Sequence, residues 1–220
     1  MSITPEAVKQ LLDSEDFGDR LRAINQCRQL EPAIAFEFIK TASTDSNTRV
    51  RYAALSQVAS LGHQDPSQAL PLLRNALNDP ETDVQAAAAD SLGALKLTEA
   101  LGDLQRLYQS TSEWLVQFSI VAALGELGDP QAFELLESAL ASDNDLVKTA
   151  AIGSLGELGD PRATPLLVPY ISNPDWQIRY RVMQALSRLG GPEARSALES
   201  LANDEVEQVA REAKTYLKSA

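Results

Sequence analysis

The chain offers few side chains that could do chemistry. Its 220 residues include one Cys, one His, two Trp, five Tyr and five Phe. Cys27, in Ile24-Asn25-Gln26-Cys27, has nothing nearby that obviously lowers its pKa. It reads first as a small buried apolar group and second as a reactive, ligand-carrying thiol. His63, in the loop Gly62-His63-Gln64-Asp65, reads as a solvated loop residue before it reads as a general base. No Cys pair has metal spacing and one His cannot build a His-rich centre, so no metal site is expected. Neither a nucleophile elbow nor a phosphate loop is present. Glu126 and Glu157 hold the same place in successive copies of a repeat, which fits two solvated carboxylates better than an acid–base pair.

The aromatic residues are more informative than these. Tyr52, Phe118 and Tyr180 fall at one repeat position, and Trp114 and Trp176 at another. Gly93, Gly125, Gly153 and Gly156 lie between them in sequence, Arg49, Arg51, Arg179 and Arg181 flank them, and Asp90 belongs to the same helix face. Aromatic walls, a floor of small residues and nearby guanidiniums would suit a flat, conjugated ligand bearing carboxylates. The alternative is that the rings pack between repeats and the glycines only let helices approach.

These residues must be positioned by a repeat. Val50, Val84, Val116, Val147, Ile178 and Val209 recur every 31 to 34 residues. From each such anchor, apolar or small residues follow at four, eight and eleven positions, as in Val147, Ala151, Leu155 and Leu158. That spacing predicts a helix with one buried stripe. Leu-Gly-Glu-Leu-Gly-Asp-Pro then closes two copies, at 124–130 and 155–161. Gly suits the left-handed end of a helix, Asp caps the next helix and Pro opens its first turn. A shorter helix follows, as in Ala132, Leu135, Leu136, Ala139 and Leu140.

One hairpin cannot bury its own apolar face, whereas stacked copies can, so the expected fold is all-α: an α-solenoid of helical hairpins, right-handed, in a single array. Residues 1–220 read as one domain, with a divergent N-terminal cap over 1–44, five fuller repeats over 45–202 and a C-terminal half-repeat over 203–220. Arg51 and Arg179 stand one residue after their anchors, with Lys148 in the equivalent place. Asp45, Asp79, Asn173 and Asp204 stand five residues before theirs, so these groups can pair between neighbouring hairpins.

Composition narrows the function classes. A chain that is 44% hydrophobic is not disordered, and with only 5% aromatic residues its core must be Ala, Leu, Val and Ile. A net charge of -12 opposes a nucleic-acid surface and docking on anionic membranes. No apolar run reaches the ~20 residues of a spanning helix, and no signal peptide is evident, which together give a cytoplasmic expectation.

The unit Asp-x-x-Val-Arg-x-x-Ala-x-x-x-Leu-Gly-x-Leu-Gly-Asp-Pro-x-Ala resembles the phycobilisome-lyase HEAT-like repeat. It appears as Asp145-Leu146-Val147-Lys148-Thr149-Ala150-Ala151 continuing to Ala163, and in variant form over residues 45 to 218. The opening, Thr4-Pro5-Glu6-Ala7-Val8 through Arg49-Val50-Arg51-Tyr52-Ala53, is similar to the phycobilisome degradation proteins among them. That resemblance implies phycobiliprotein partners (phycocyanin, allophycocyanin) at the thylakoid-associated phycobilisome surface, and antenna dismantling under nutrient starvation. It implies no tightly bound cofactor, with a bilin such as phycocyanobilin as ligand, and a lyase-like detachment of that bilin from its cysteine. The alternatives it leaves open are a bilin lyase subunit that attaches phycocyanobilin to phycocyanin and a non-catalytic HEAT-repeat adaptor. On such a ligand Tyr52, Phe118, Tyr180, Trp114 and Trp176 would stack, Arg51 and Arg179 would hold propionates, and Asp90 would face the pyrrole nitrogens as the candidate catalytic group.

Overall fold

The structure is a computed structural model that describes residues 3–219, with the backbone alone at Ser219. Every regular element among the described residues is helical. The helices run as consecutive pairs: α1 (Pro5–Leu12) and α2 (Phe17–Cys27), α3 (Pro32–Ala42) and α4 (Thr48–Leu61), α5 (Pro66–Ala76) and α6 (Thr82–Ala94), α7 (Leu101–Ser110) and α8 (Trp114–Leu127). They continue with α9 (Phe133–Ala139) and α10 (Asp145–Leu158), α11 (Ala163–Leu167) and α12 (Trp176–Leu189), and α13 (Gly191–Leu201) and α14 (Glu207–Ser219). The even-numbered helices from α4 onward carry the anchors. The fold is the expected α-solenoid of HEAT-like hairpins. Contacts cluster into two compact units, residues 1–123 and 124–220, with the boundary inside α8.

Local chemistry sets the helix ends. Asn47, Asn144 and Asp175 cap α4, α10 and α12 by accepting the N–H of Arg49 at 3.0 Å, Leu146 at 2.9 Å and Gln177 at 2.8 Å. Gly128 and Gly159 end their helices with φ of 69° and 73°, where a side chain would be strained. The Asp-Pro that follows each starts less regularly than its pattern predicts. Pro130 opens a 3-10 turn and Pro161 a plain turn before α11 begins, so α9 and α11 are short. In α11 the cause is Pro169, which lacks the N–H that a continued helix requires, and the segment 168–172 tightens into a 3-10 helix.

The core is the stripe that the period marks out. Val50, Ala54 and Val58, Val84 and Leu92, Val116, Ile120 and Leu124, and Val147, Ala151 and Leu155 are fully buried. Each Leu, Ile or Val so buried contributes about 2 kcal/mol. The N-terminal segment belongs to the same scheme. In α2, Ala23 and Cys27 hold the buried places four and eight residues past the anchor position, but Asp19 stands at the anchor itself. That exchange is why no anchor is evident there in the sequence.

Candidate functional site

The residue after the anchor has a structural task in several hairpins. Its side chain donates to the carbonyl six residues earlier, tying down the loop that precedes the helix. Arg20 reaches Ser14 O at 2.9 Å, Arg51 reaches Asp45 O at 3.0 Å, and Arg179 reaches Asn173 O at 2.8 Å. Gln85 and Gln117 do the same, to Asp79 O at 2.7 Å and Thr111 O at 3.0 Å. Arginine has a second fork left over, and it binds the next hairpin's aspartate through two bonds. The pairs are Arg20–Asp45 at 2.7 and 3.0 Å, Arg51–Asp79 at 2.8 and 2.9 Å, and Arg179–Asp204 at 2.7 and 2.9 Å. Each carboxylate also accepts the N–H two residues on, from Asn47, Glu81 and Val206, and so shapes its own turn.

This geometry corrects the propionate assignment. Arg51 and Arg179 spend their guanidiniums inside this ladder, and Arg179 is only 6% exposed. Neither can meet a ligand without giving up its aspartate. Where the arginine is absent its partner is absent too: Thr111, Ser142 and Asn173 stand where the next aspartate would follow Gln85, Gln117 and Lys148. Lys148 turns instead to Asp145 on its own helix at 3.2 Å.

The ladder explains the titration of its members. Burial pushes the Asp45 and Asp79 carboxyls up, but the Arg20 and Arg51 bonds and the turn N–H groups outweigh it and hold both below the ordinary carboxylate value. For Asp204 the Arg179 bond is the largest influence, in the same direction.

The aromatic residues lie on a different stripe. Positions two and six past an anchor share one helix face, which meets solvent in most anchor helices but not at Ala86, which is buried. In the first unit Tyr52 and Trp114 are 47% and 45% exposed, while Phe118 is half-buried. Asp90, on the α6 part of this face, reaches water at one side yet is walled by protein elsewhere. Burial raises its pKa, against the lowering effect of a bond from the Ser119 hydroxyl, the residue next to Phe118. In the second unit Trp176 is 39% exposed and Tyr180 half-buried. The structure thus puts Tyr52, Trp114, Phe118 and Asp90 in one unit and Trp176 and Tyr180 in the other.

The small-residue floor divides. A Cβ on Gly93 would meet the Ala123 backbone at 2.6 Å, one on Gly125 the Ser154 backbone at 2.7 Å, and one on Gly156 the Ala185 backbone at 2.6 Å. These three glycines let anchor helices touch and are covered. Gly153 alone stays partly open, with the Arg181 stem lying 3.7 Å from where its Cβ would be. Arg181 and Arg49 are the exposed arginines of this face. The sequence reading missed Leu146, the most exposed large apolar side chain at 53%, although its place beside the anchor Val147 in the first turn of α10 was a usable signal.

The other candidates take structural places. Cys27 is fully buried and burial pushes its thiol up to about 11, so it presents no nucleophile and no attachment point. His63 is exposed in a 3-10 turn, Gly62–Gln64. Glu157 pairs with Arg188 at 3.3 Å.

Among solved structures the chain is similar to the complex of CpcE and CpcF of phycocyanin lyase from Nostoc sp. PCC7120. The identity is 22% and the TM-score 0.66, over 100% of this chain and 95% of that one. It is also similar to YibA of E. coli, at 15% identity and TM-score 0.71 over 98% and 81% of the two chains. An archaeal HEAT-like repeats protein from Thermococcus onnurineus matches at 14% and 0.57, over 98% and 96%. Identities this low speak for the fold alone. No curated protein matches the sequence. The PBS lyase HEAT-like repeat pattern matches residues 50–79, and the HEAT repeats pattern matches residues 70–155 and 144–218. Those two stretches take in most of the anchor helices whose stripes, caps and ladder are described above, and the chain belongs to the HEAT-repeat family.

Proposed function

We propose that the protein binds phycobiliprotein subunits and holds their bilin chromophore against the solvent-facing stripe of its anchor helices, as a phycobilisome degradation protein of the NblB type acting during nutrient starvation. The observation that carries this reading is the exposed aromatic row. Tyr52, Trp114 and Trp176 leave 39% to 47% of their surface to water in a chain with few aromatics. Rings left open at repeated positions, where packing does not need them, fit a stacking surface. The repeat match over 50–79 contains Tyr52 and supports the same reading.

In the first unit Tyr52, Trp114 and Phe118 would stack on the tetrapyrrole and Asp90 would accept from its pyrrole N–H groups. The propionates would fall to Arg49, because Arg51 is committed to Asp79. In the second unit Tyr180 and Trp176 are served in the same way by Arg181. Detachment would be an elimination: the carbon–sulfur bond breaks with its electron pair on the cysteine sulfur, the adjacent ring carbon gives a proton to a base, and an ethylidene double bond forms. A carboxylate with a raised pKa, as at Asp90, is a stronger base than an ordinary one and is suited to take that proton.

Absorbance spectroscopy tests this. Purified protein mixed with phycocyanobilin should shift and intensify the visible band, and the triple variant Tyr52→Ala, Trp114→Ala, Phe118→Ala should weaken binding at least about tenfold. Unaltered binding by that variant, correctly folded by circular dichroism, would overturn the stacking surface. With holo-phycocyanin, release of protein-bound bilin marks detachment. The near end-to-end likeness to a chain of the phycocyanin lyase complex favours a second reading, a lyase subunit. Bilin uptake by apo-phycocyanin would select it.

A further inference from the structure

In the first unit a cleft of about 470 Å³ opens between α5 and α7, away from the aromatic stripe. It is lined by residues that include Arg74, Leu77, Asn78, Asp103, Arg106 and Leu107. Its charge arrangement differs from the ladder's, where each arginine has its own aspartate. Here Arg74 donates to Asp103 Oδ2 at 2.7 Å and to the Glu99 carbonyl, while Arg106 donates to the other oxygen of the same Asp103. Two guanidiniums therefore share one carboxylate, which leaves one positive charge in surplus on a chain whose net charge is -12. Leu107, half-buried, supplies apolar surface beside the charges, over Leu77, which is only 4% exposed.

We propose that this cleft is a binding site for a carboxylate carried on an apolar body. One surplus positive charge balances a monoanion. A phosphate dianion would face Asp103 with one negative charge too many. The volume lies within the usual range for small-ligand sites. The exposed Arg106 fork and the outer edge of Arg74 meet the ligand oxygens, and the half-buried Leu107 takes its hydrocarbon part. The same chemistry is offered by a free small carboxylic acid and by an acidic side chain of a partner protein set among apolar residues.

NMR titration of the full-length, 15N-labelled protein separates the outcomes. The probes are 3-phenylpropionate, its neutral amide, inorganic phosphate, and a blocked tripeptide with aspartate between two leucines. Saturable shifts confined to residues 74–78 and 102–110, with a Kd of about a millimolar for a ligand this small, are expected from the carboxylates. Tighter binding of the tripeptide assigns the site to a partner's acidic segment, and tighter binding of 3-phenylpropionate assigns it to a free acid. Arg106→Gln should weaken either about tenfold, and Asp103→Asn, which doubles the surplus charge, should tighten it several-fold. Equal shifts from the neutral amide, stronger binding of phosphate, or affinities unchanged in both variants would overturn the proposal.

Discussion

At the scale of single residues, backbone conformation and burial decide more than residue type. Lys96 stands twelve residues past Val84, where the later copies have Gly128 and Gly159, and it adopts their left-handed conformation with φ of 53°. A Cβ there crowds the following carbonyl at a cost of about 1 kcal/mol. Lys96→Gly should therefore raise stability, by about 0.5 kcal/mol after the greater freedom of glycine in the unfolded chain is counted, and raise Tm by about 1 °C. Thermal unfolding followed by circular dichroism measures it, and a lower Tm would show that Lys96 is held by interactions stronger than that strain. Cys27 makes the same point from burial. Its type invites a chemical role, while its place in the α2 stripe removes one.

At the scale of a helix, the two glycines of α10 separate packing from propensity. They are three residues apart and differ in what lies above them. A Cβ at Gly156 would sit 2.6 Å from the Ala185 backbone in α12, which cannot move aside as a side chain could. At Gly153 the nearest atom is the flexible Arg181 stem at 3.7 Å, an ordinary contact. Gly156→Ala should destabilise by about 1–3 kcal/mol through forced separation of α10 and α12. Gly153→Ala should stabilise by roughly 0.5–1 kcal/mol, because alanine loses less entropy in a helix interior. Urea unfolding of the two variants measures both, and the same sign in both would contradict the close approach. The helix pattern itself was legible from the sequence, since stripe, cap and stop are local signals. Which glycines touch a neighbour was not, because that depends on which residue of the next helix lies opposite.

At the scale of the whole molecule, the ladder links hairpin to hairpin and makes stability depend on pH. Asp45, Asp79 and Asp204 have folded pKa values held below the ordinary carboxylate value. Their contribution is fully present above about pH 3.9, the unfolded value, and is lost as pH falls through the lower folded values. Asp90 runs the other way: its raised pKa means that ionisation works against the fold above the unfolded value and that acid relieves the cost. With Asp65 and Asp160 also held low by bonds within their own turns, five carboxylates against one predict net acid destabilisation below about pH 4. Asp204→Asn should lose part of that acid dependence. At neutral pH it should cost about 3 kcal/mol, the lower end for a broken buried pair, since Arg179 lies near the surface though only 6% exposed. Unfolding measured from pH 3 to 7 checks it; an unchanged pH profile would show that the Arg179–Asp204 pair carries none of the effect.

While the structure showed that Tyr52, Trp114 and Trp176 are exposed, the sequence by itself determined the all-helical repeat, the buried stripe and the recurrence of aromatic residues at two repeat positions. These follow from a 3.6-residue period and from capping residues that act over one turn, and such information is written locally. It also held the pairing rule of the ladder, since arginine and aspartate are present together or replaced together. The tertiary structure decided which charges remain free. Arg51 and Arg179 carry the same side chain as Arg49 and Arg181 and lie two residues from them, yet the stacking of one hairpin on the next gives the first pair an aspartate and leaves the second pair in water. It also put Arg74 and Arg106 around a single Asp103, residues 29 and 3 positions from that aspartate. A helix places neighbours three and four residues apart by its own geometry, whereas a contact across a hairpin exists only once the apolar faces have been buried against each other.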